Sequence, residues 1–342
     1  MAFGNRFIFS SSPASVVLEA FELPAVGSCQ VLVRNSRTHA SAGSEMNFLR
    51  HGPVAYGLSA GTPRANIGYM TAGRIIAAGA EVDGFAVGDR VFTGGSHASH
   101  SILDIGPTSV INHIPVSVSD DTAGFAALGE VALHGVRRAS IQIGQSVVVF
   151  GAGMVGQLVM QFARLSGAYP IVAVDLIDGR LAKAEQSGAT HTINAARQDV
   201  VRSVNEITQG RGCDVVIHCS QIADILQQAL ECAADRGTVV LTGSPPGKAM
   251  IRLQEEILRK ELRITGTYTS RLMHPHPYWG WTPDRNRQIY LRLLASEQLE
   301  VAHLISHVVS AKEAPEIYSQ MLSSSENWLG VVFDWSDQAH SL

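Results

Sequence analysis

Four apolar residues, Val147-Val148-Val149-Phe150, run straight into Gly151-Ala152-Gly153-Met154-Val155-Gly156, and this junction limits the possible folds more than any other stretch. The first part reads as a buried strand, and Gln157 to Leu165 carries the 3.6-residue periodicity of a helix. Each glycine of the G-x-G-x-x-G pattern has a mechanical task. Gly151 allows a sharp turn off the strand, Gly153 allows backbone N–H groups to approach a pyrophosphate, and Gly156 allows close helix–sheet packing. Met154 and Val155 open the helix, whose N-terminal dipole favours phosphate. Pro170-Ile-Val-Ala-Val-Asp175 then reads as a second strand ending in an acid placed to grip a ribose diol. The alternative for such a glycine pattern is a tight strand–helix turn without a ligand. The second strand and its terminal acid favour a bound dinucleotide. A carboxylate at 175 repels a 2′-phosphate, so NAD is expected over NADP. Arg180 is the nearby cation that would soften this preference, unless it stacks on the adenine or sits on the helix surface.

At 342 residues the chain has room for about two domains. Its 46% apolar and 16% charged content is that of a well-buried globular protein. A net charge of −4 without a dense Lys/Arg run argues against nucleic acid or anionic membrane as a partner. No stretch reaches the ~18 apolar residues of a membrane span, and the N-terminus lacks a signal-peptide core. A cytoplasmic location is the expectation. Cys29, Cys213, Cys219 and Cys232 form no C-x-x-C pair, so neither a disulfide framework nor a cysteine zinc cage is expected.

Up to about residue 125, short β-branched runs at 7–9, 16–18, 30–33, 73–77 and 89–92 alternate with turn signals, which implies a small distorted β-barrel. A helix is expected at 122–139. Beyond it strands at 146–150, 171–174, 190–193, 214–218, 237–241 and 263–266 alternate with helices. That grammar implies α/β architecture, with six parallel strands in a doubly wound Rossmann sheet. The tail, with helices near 286–296 and 311–323 and a strand-like end, is too short for a domain and is expected to complete the N-terminal one.

The order of these parts resembles the medium-chain dehydrogenase/reductase superfamily across nearly the whole chain. The residues carrying the likeness are Gly68-Tyr-Met-Thr-Ala-Gly-Arg-Ile-Ile-Ala-Ala-Gly79, Val87-Gly-Asp-Arg-Val91, Ala132-Leu-His-Gly-Val-Arg-Arg138, the glycine turn and Gly212-Cys-Asp-Val-Val-Ile217. The resemblance implies a GroES-like catalytic domain (1–127 completed by 268–342), a Rossmann domain (128–267), a small-molecule substrate, and a homodimer or homotetramer. It also shows where this chain departs. Zinc members carry C-G-[ST]-D where this one reads Ala42-Gly43-Ser44-Glu45, and G-H-E where it reads Gly68-Tyr69-Met70. The third ligand position falls at or near Ala127, and 93–109 has no cysteine for a structural zinc. No metal is therefore expected, since a catalytic zinc takes three protein ligands. In these departures the chain resembles the zinc-lacking group that includes bacteriochlorophyllide dehydrogenase-like proteins.

Without a Lewis acid, hydride transfer needs a hydrogen-bond donor at the substrate oxygen. Ser44, matching the family's proton-relay hydroxyl, is either that donor or a turn cap. Tyr69 either aims its phenol where zinc would sit or fills the space. Glu45 is expected to orient its neighbours. Glu130 is either a buried general base or a first-turn acid complementing the helix dipole. His97 and His100 are read in a loop bordering the cleft, where they either bind substrate or relay protons, or are ordinary exposed loop histidines. Cys219, Ser220, Gly243, Ser244, Thr267 and Tyr268 follow three later strands and are candidate ribose and nicotinamide contacts. The Pro-, His- and Trp-rich segment 271–281 is either a substrate-selecting loop or a subunit-packing loop.

These readings lead to a zinc-independent, NAD-dependent oxidoreductase acting on a secondary alcohol or ketone, on a cyclic or polyhydroxylated substrate. The alternatives are an NADPH-dependent enone or quinone reductase, and a dinucleotide-binding sensor without turnover.

Overall fold

The computed structural model describes residues 3–269, 279–324 and 328–338. The expected substrate or packing loop at 271–281 falls mostly outside them. Two compact units form, one from residues up to Ala127 together with Arg287 onward, the other from Leu128–Asn286. The second crossing thus comes at 286/287 and not at 267/268.

In the first unit, strands Ile305–Ser310, Gly330–Asp334, Gln30–His39, Thr71–Ala78, Arg90–Thr93 and Ile111–His113 lie side by side, with His100–Asp104 also paired to Gln30–His39. A second sheet holds Ala14–Glu22, Phe3–Ser11 and Arg64–Ala65. The tail completes this unit through antiparallel pairing of Val332 with His39 and Asp334 with Arg37. The core between the elements is aromatic: Phe7, Phe9, Phe48, Tyr318, Phe333 and Trp335 are all buried together. Full burial of each such side chain contributes about 1.5–3 kcal/mol.

Helix Ala42–His51 does not stand out in the sequence, because its buried face includes Glu45 beside Met46, Phe48 and Leu49. The expected helix at 122–139 is two helices, Asp120–Ala123 and Ala126–Ala139. The interruption has a steric setting. A Cβ on Gly124 would stand 1.8 Å from Cε1 of His39, so the chain passes directly against that imidazole.

In the second unit the six strands are all parallel, in the order His191–Asn194, Ile171–Asp175, Val147–Phe150, Cys213–His218, Ala233–Leu241 and Arg263–Gly266. Counted from the strand at the glycine turn, this is the 3-2-1-4-5-6 order of doubly wound dinucleotide folds. Its four-residue run at 147–150 is wholly buried, which is why it reads as continuous Val and Phe with no alternation.

Candidate active site

The candidate cofactor residues converge at the carboxyl ends of the strands. Gly151 leaves the strand with φ +94°, a conformation reserved largely for glycine. Gly156 lies on its carbonyl: a Cβ there would be 1.9 Å from Gly151 O. At Gly153, the residue before helix Met154–Leu165, a Cβ would meet no protein atom within 4 Å. Protein packing therefore does not require glycine at 153, and the open space above it is what a closely approaching pyrophosphate needs. Ser220 joins the neighbouring loops. Its backbone N is 3.1 Å from a Cβ placed on Gly151, and its carbonyl 2.4 Å from one placed on Gly243. Thr267 is tied to the same rim, its N–H donating to Leu241 O at 3.0 Å. Ser244 is exposed one residue beyond Gly243. Burial pushes the Cys219 thiol up to about 12, so it is a neutral contact and not a nucleophile.

Asp175 has more partners than its sequence position suggests. Oδ2 accepts from Ala152 N at 2.7 Å, and Oδ1 accepts from Leu176 N at 2.8 Å and Ile177 N at 3.0 Å. The acid thus pins the glycine turn to the second strand while keeping acceptor capacity for a diol. Arg180 Nη1 stands 3.9 Å from its Oδ2. The second unit has residues that fit a nicotinamide dinucleotide: a glycine turn, an open helix N-terminus and a carboxylate at the end of the next strand.

In the first unit, Ala42 and Tyr69 stand where the family's first two metal ligands would be, and hydroxyls gather around Tyr69. Ser41, just before helix Ala42–His51, makes a short hydrogen bond to the Tyr69 phenol, and Ser44 Oγ is 3.4 Å from the same oxygen. Serine at a helix start ordinarily caps the backbone. Here its hydroxyl turns to Tyr69, and Glu45 serves that end instead, Oε1 accepting from Ser41 N at 3.0 Å.

Beneath the hydroxyls lies a buried polar chain. His97 Nε2 is 3.1 Å from Glu45 Oε1, and the Tyr318 hydroxyl donates to Oε2 at 2.6 Å. Trp335 Nε1 donates to Thr38 Oγ1 at 2.9 Å, and Thr38 Oγ1 is 2.7 Å from His97 Nδ1. A carboxylate only accepts, so His97 donates to Glu45 from Nε2, while Nδ1 meets the Thr38 hydroxyl. Burial, and then the Glu45 carboxylate, push the Tyr318 phenol far above its ordinary range, so it remains a donor. Tyr56, raised for the same two reasons, accepts from Gly68 N at 3.2 Å beside Tyr69.

Several expectations change. His97 and His100 are not in an exposed loop: both are buried, and His100 begins strand His100–Asp104, its Nδ1 3.0 Å from Ser99 Oγ. Burial lowers the His100 pKa, with Arg34 adding to the effect. Glu130 is not a first-turn acid. It is the fifth residue of Ala126–Ala139 and buried, so the dipole reading does not apply. Sequence reasoning missed Ser41 and Tyr318. Ser41 is one helical turn before Ser44, and Tyr318 belongs to the apolar stripe Ala314, Ile317, Tyr318, Met321.

The donor set does not match zinc. Zinc is held by thiolate, imidazole or carboxylate, whereas the nearest groups here are three neutral hydroxyls and the one adjacent carboxylate is committed to Ser41, His97 and Tyr318. Among the described residues, no group of three or more His, Cys, Asp or Glu is placed to hold a metal ion. No helix among them is long and apolar enough to cross a membrane.

Comparison with known proteins places these observations. Residues 154–280 match the family described as zinc-binding dehydrogenase. D-guloside 3-dehydrogenase of Escherichia coli K12 is 31% identical over 272 residues, covering 78% of this chain and 77% of its own length. A zinc-binding-dehydrogenase candidate from Sinorhizobium meliloti 1021, bound to NADP, superposes with a TM-score of 0.82 at 23% identity, covering 98% of this chain and all of its own. An alcohol dehydrogenase of Escherichia coli CFT073 complexed with NADH gives 0.80 at 19% identity, covering 98% of this chain and 100% of its own.

Proposed function

This chain belongs to the zinc-binding dehydrogenases of the medium-chain dehydrogenase/reductase superfamily, and from that premise we propose that it interconverts a secondary alcohol and a ketone on a polyhydroxylated or cyclic compound, using NAD(H) and no catalytic zinc. The observation carrying this reading is the hydroxyl cluster Tyr69–Ser41–Ser44, in which Tyr69 stands at one of the family's metal positions, over a buried Glu45–His97–Tyr318 group. D-guloside 3-dehydrogenase, a relative named for a sugar derivative, supports the polyhydroxylated substrate class.

In this reading Gly153 and the N-terminus of helix Met154–Leu165 receive the pyrophosphate, and Asp175 receives the adenosine ribose. Gly151, Ser220, Gly243 and Thr267 shape the rim on which the rest of the dinucleotide lies, with Cys219 and Ser244 beside them. When bound, the nicotinamide supplies the hydride acceptor or donor. Tyr69 takes over the polarising task of the metal by hydrogen-bonding the substrate oxygen. Donation from Ser41 lowers the free energy of charge on the phenol oxygen as the proton moves. Ser44 is the next hydroxyl along, placed to pass that proton on. Glu45 acts by fixing the start of helix Ala42–His51, and with it Ser41 and Ser44. His97 and Tyr318 meet the two Glu45 oxygens and hold that side chain in place. Glu130 remains a buried acid in the second unit, proposed as a general base.

Replacing Tyr69 by Phe tests this reading. Turnover of a polyol or sugar panel should fall by about 10²–10⁴-fold, the range for losing a proton donor, while NADH binding is retained. Undiminished turnover in Tyr69→Phe, or near-stoichiometric zinc in the purified protein, would overturn the mechanism. One observation favours a second reading. Arg180 lies beside Asp175, and a relative of this fold is bound to NADP, so tighter binding of NADPH than NADH would shift the assignment to an NADPH-dependent reductase.

A further inference from the structure

Trp281 is held between two guanidinium groups. Arg137 Cζ is 3.3 Å from the ring centroid and Arg285 Cζ 3.7 Å. At those distances both groups cannot occupy one face, so the indole is sandwiched. Arg138 stands beside the stack, its Cζ 5.4 Å from the Trp279 ring. Cation–aromatic contact places arginines well but does not neutralise them.

The hydrogen bonds of the three arginines are informative. Arg137 Nε donates to Asn286 Oδ1 at 3.0 Å, Arg138 Nη2 to Thr265 Oγ1 at 2.8 Å, and Arg285 Nη1 to Gly280 O at 3.0 Å. Each is tethered by a neutral acceptor, and among the described residues none is paired with a carboxylate. Arg138 and Arg285 are exposed, but Arg137 is partly buried, as are Arg37 and Arg90, which do pair with acids: Arg37 with Asp121 and Asp334, and Arg90 with Asp120. Two further polar atoms, Nε1 of Trp279 and Nδ1 of His134, are buried without a hydrogen-bond partner, and the two rings meet edge-on at 5.8 Å. Burial, and then Arg285, lower the Arg137 pKa to about 10. Burial, followed by Arg138 and Arg137, lowers His134 to about 4, so that ring is neutral. Three cations gathered with neutral tethers leave a local positive field that favours an anion.

The cluster also lies where ligands bind. Thr265 is in the last strand, and helix Ala126–Ala139 crosses the end of the one before it: a Cβ on Gly135 would be 2.5 Å from Thr242 Oγ1. Open α/β sheets take their ligands at these carboxyl ends. We propose that Arg137, Arg138 and Arg285, set by Trp281, form a binding site for a small oxyanion, a phosphate or carboxylate group, carried by the substrate. This rests on the dehydrogenase reading for the word substrate, and on the arginine geometry alone for the oxyanion. The planar fork of arginine matches both groups.

Intrinsic tryptophan fluorescence tests it without turnover, because Trp281 reports directly. Inorganic phosphate would be titrated at constant ionic strength, with and without saturating NADH, so that the glycine turn is accounted for. A saturable signal is expected that weakens about ten-fold or more in Arg137→Gln and in Arg285→Gln, as loss of a charge-assisted contact implies. Arg202→Gln, which removes an exposed helix-surface pair, should leave it unchanged. A polyol phosphate that binds more tightly than inorganic phosphate identifies a substrate-borne group; equal affinity identifies the free ion. Absence of a saturable signal, or one undiminished in both variants, overturns the site. So does a change in subunit assembly in the variants that phosphate does not affect, which would make the stack a subunit contact. NADH titration of the same variants is expected to match the parent, so a failure of this site is separable from a failure of the dehydrogenase reading.

Discussion

Nε2 of His97 faces Oε1 of Glu45 at 3.1 Å, with the two side chains 1% and 0% exposed. A carboxylate shut away from water is tolerated only when donors surround it, and here the donors are His97, Tyr318 and the Ser41 amide. Tyr318→Phe removes one of them while keeping the ring. The expected loss is about 1.5–3 kcal/mol, the range for hydrogen bonds to charged groups. Urea denaturation measures it, and an unchanged midpoint would mean that Glu45 is not held as described. His97→Phe should cost more, about 3–5 kcal/mol, because a buried charge is left with fewer partners.

The glycine turn yields a paired prediction. Gly156→Ala puts a methyl 1.9 Å from Gly151 O, so helix and turn must separate. Thermal stability and NADH affinity should both fall, by about 1–3 kcal/mol in stability for overpacking of this kind. Gly153→Ala meets no protein atom within 4 Å. It should leave the melting temperature close to the parent while weakening NADH by about ten-fold or more. A Gly153→Ala protein that binds NADH normally would contradict the placement of the pyrophosphate.

On the proposed reading, cofactor choice depends on Asp175. Asp175→Ser is expected to reduce the preference for NADH over NADPH, measured as the ratio of dissociation constants, by about ten-fold. Because the carboxylate also accepts from three backbone amides, the same variant should lose stability. An unchanged ratio would remove Asp175 from the ribose site.

A pH effect follows from His39. Burial lowers its pKa from the usual 6.5 to about 4, so between these values the unfolded chain binds a proton that the native chain does not. Stability therefore falls as pH drops through this window, by about 2 kcal/mol between pH 7 and pH 5. His134, lowered to about 4 by burial and its two arginine neighbours, acts in the same direction. Denaturant midpoints at the two pH values measure the loss, and His39→Gln should flatten it. A profile for His39→Gln as steep as the parent's would assign the effect elsewhere.

The second unit was largely legible in the sequence because its signals are local. A wholly buried parallel strand is written as Val-Val-Val-Phe, and a glycine turn is written beside it. The first unit was legible as β-rich, but its site was not. Helix Ala42–His51 hides because Glu45 interrupts its apolar face, and that residue is inside only because His97 and Tyr318 are there to meet it. Partners separated by 52 and 273 positions leave no spacing to read. Burial of His97 was hidden for the same reason: Thr38, Glu45 and Tyr318, which meet its ring, are all remote in sequence. Ser44 and Tyr69 could be singled out from the family's proton-relay and metal positions, whereas Ser41 required the helix start to be seen.

The Trp335–Thr38–His97 chain also has a bearing on how this protein is made. Thr38 and His97 leave the ribosome early, but Trp335 and Tyr318 belong to the tail that completes the first unit. Chains fold from the N-terminus as they emerge. During synthesis Glu45 must therefore wait, hydrated, while the whole second unit is translated and becomes able to fold. The candidate cofactor site can form on a nascent chain, whereas the hydroxyl cluster acquires its buried base only once residue 335 of 342 has emerged. On the proposed reading, the order of assembly would run from redox cofactor to proton donor, and a chain stalled short of its tail would bind dinucleotide without being able to turn it over.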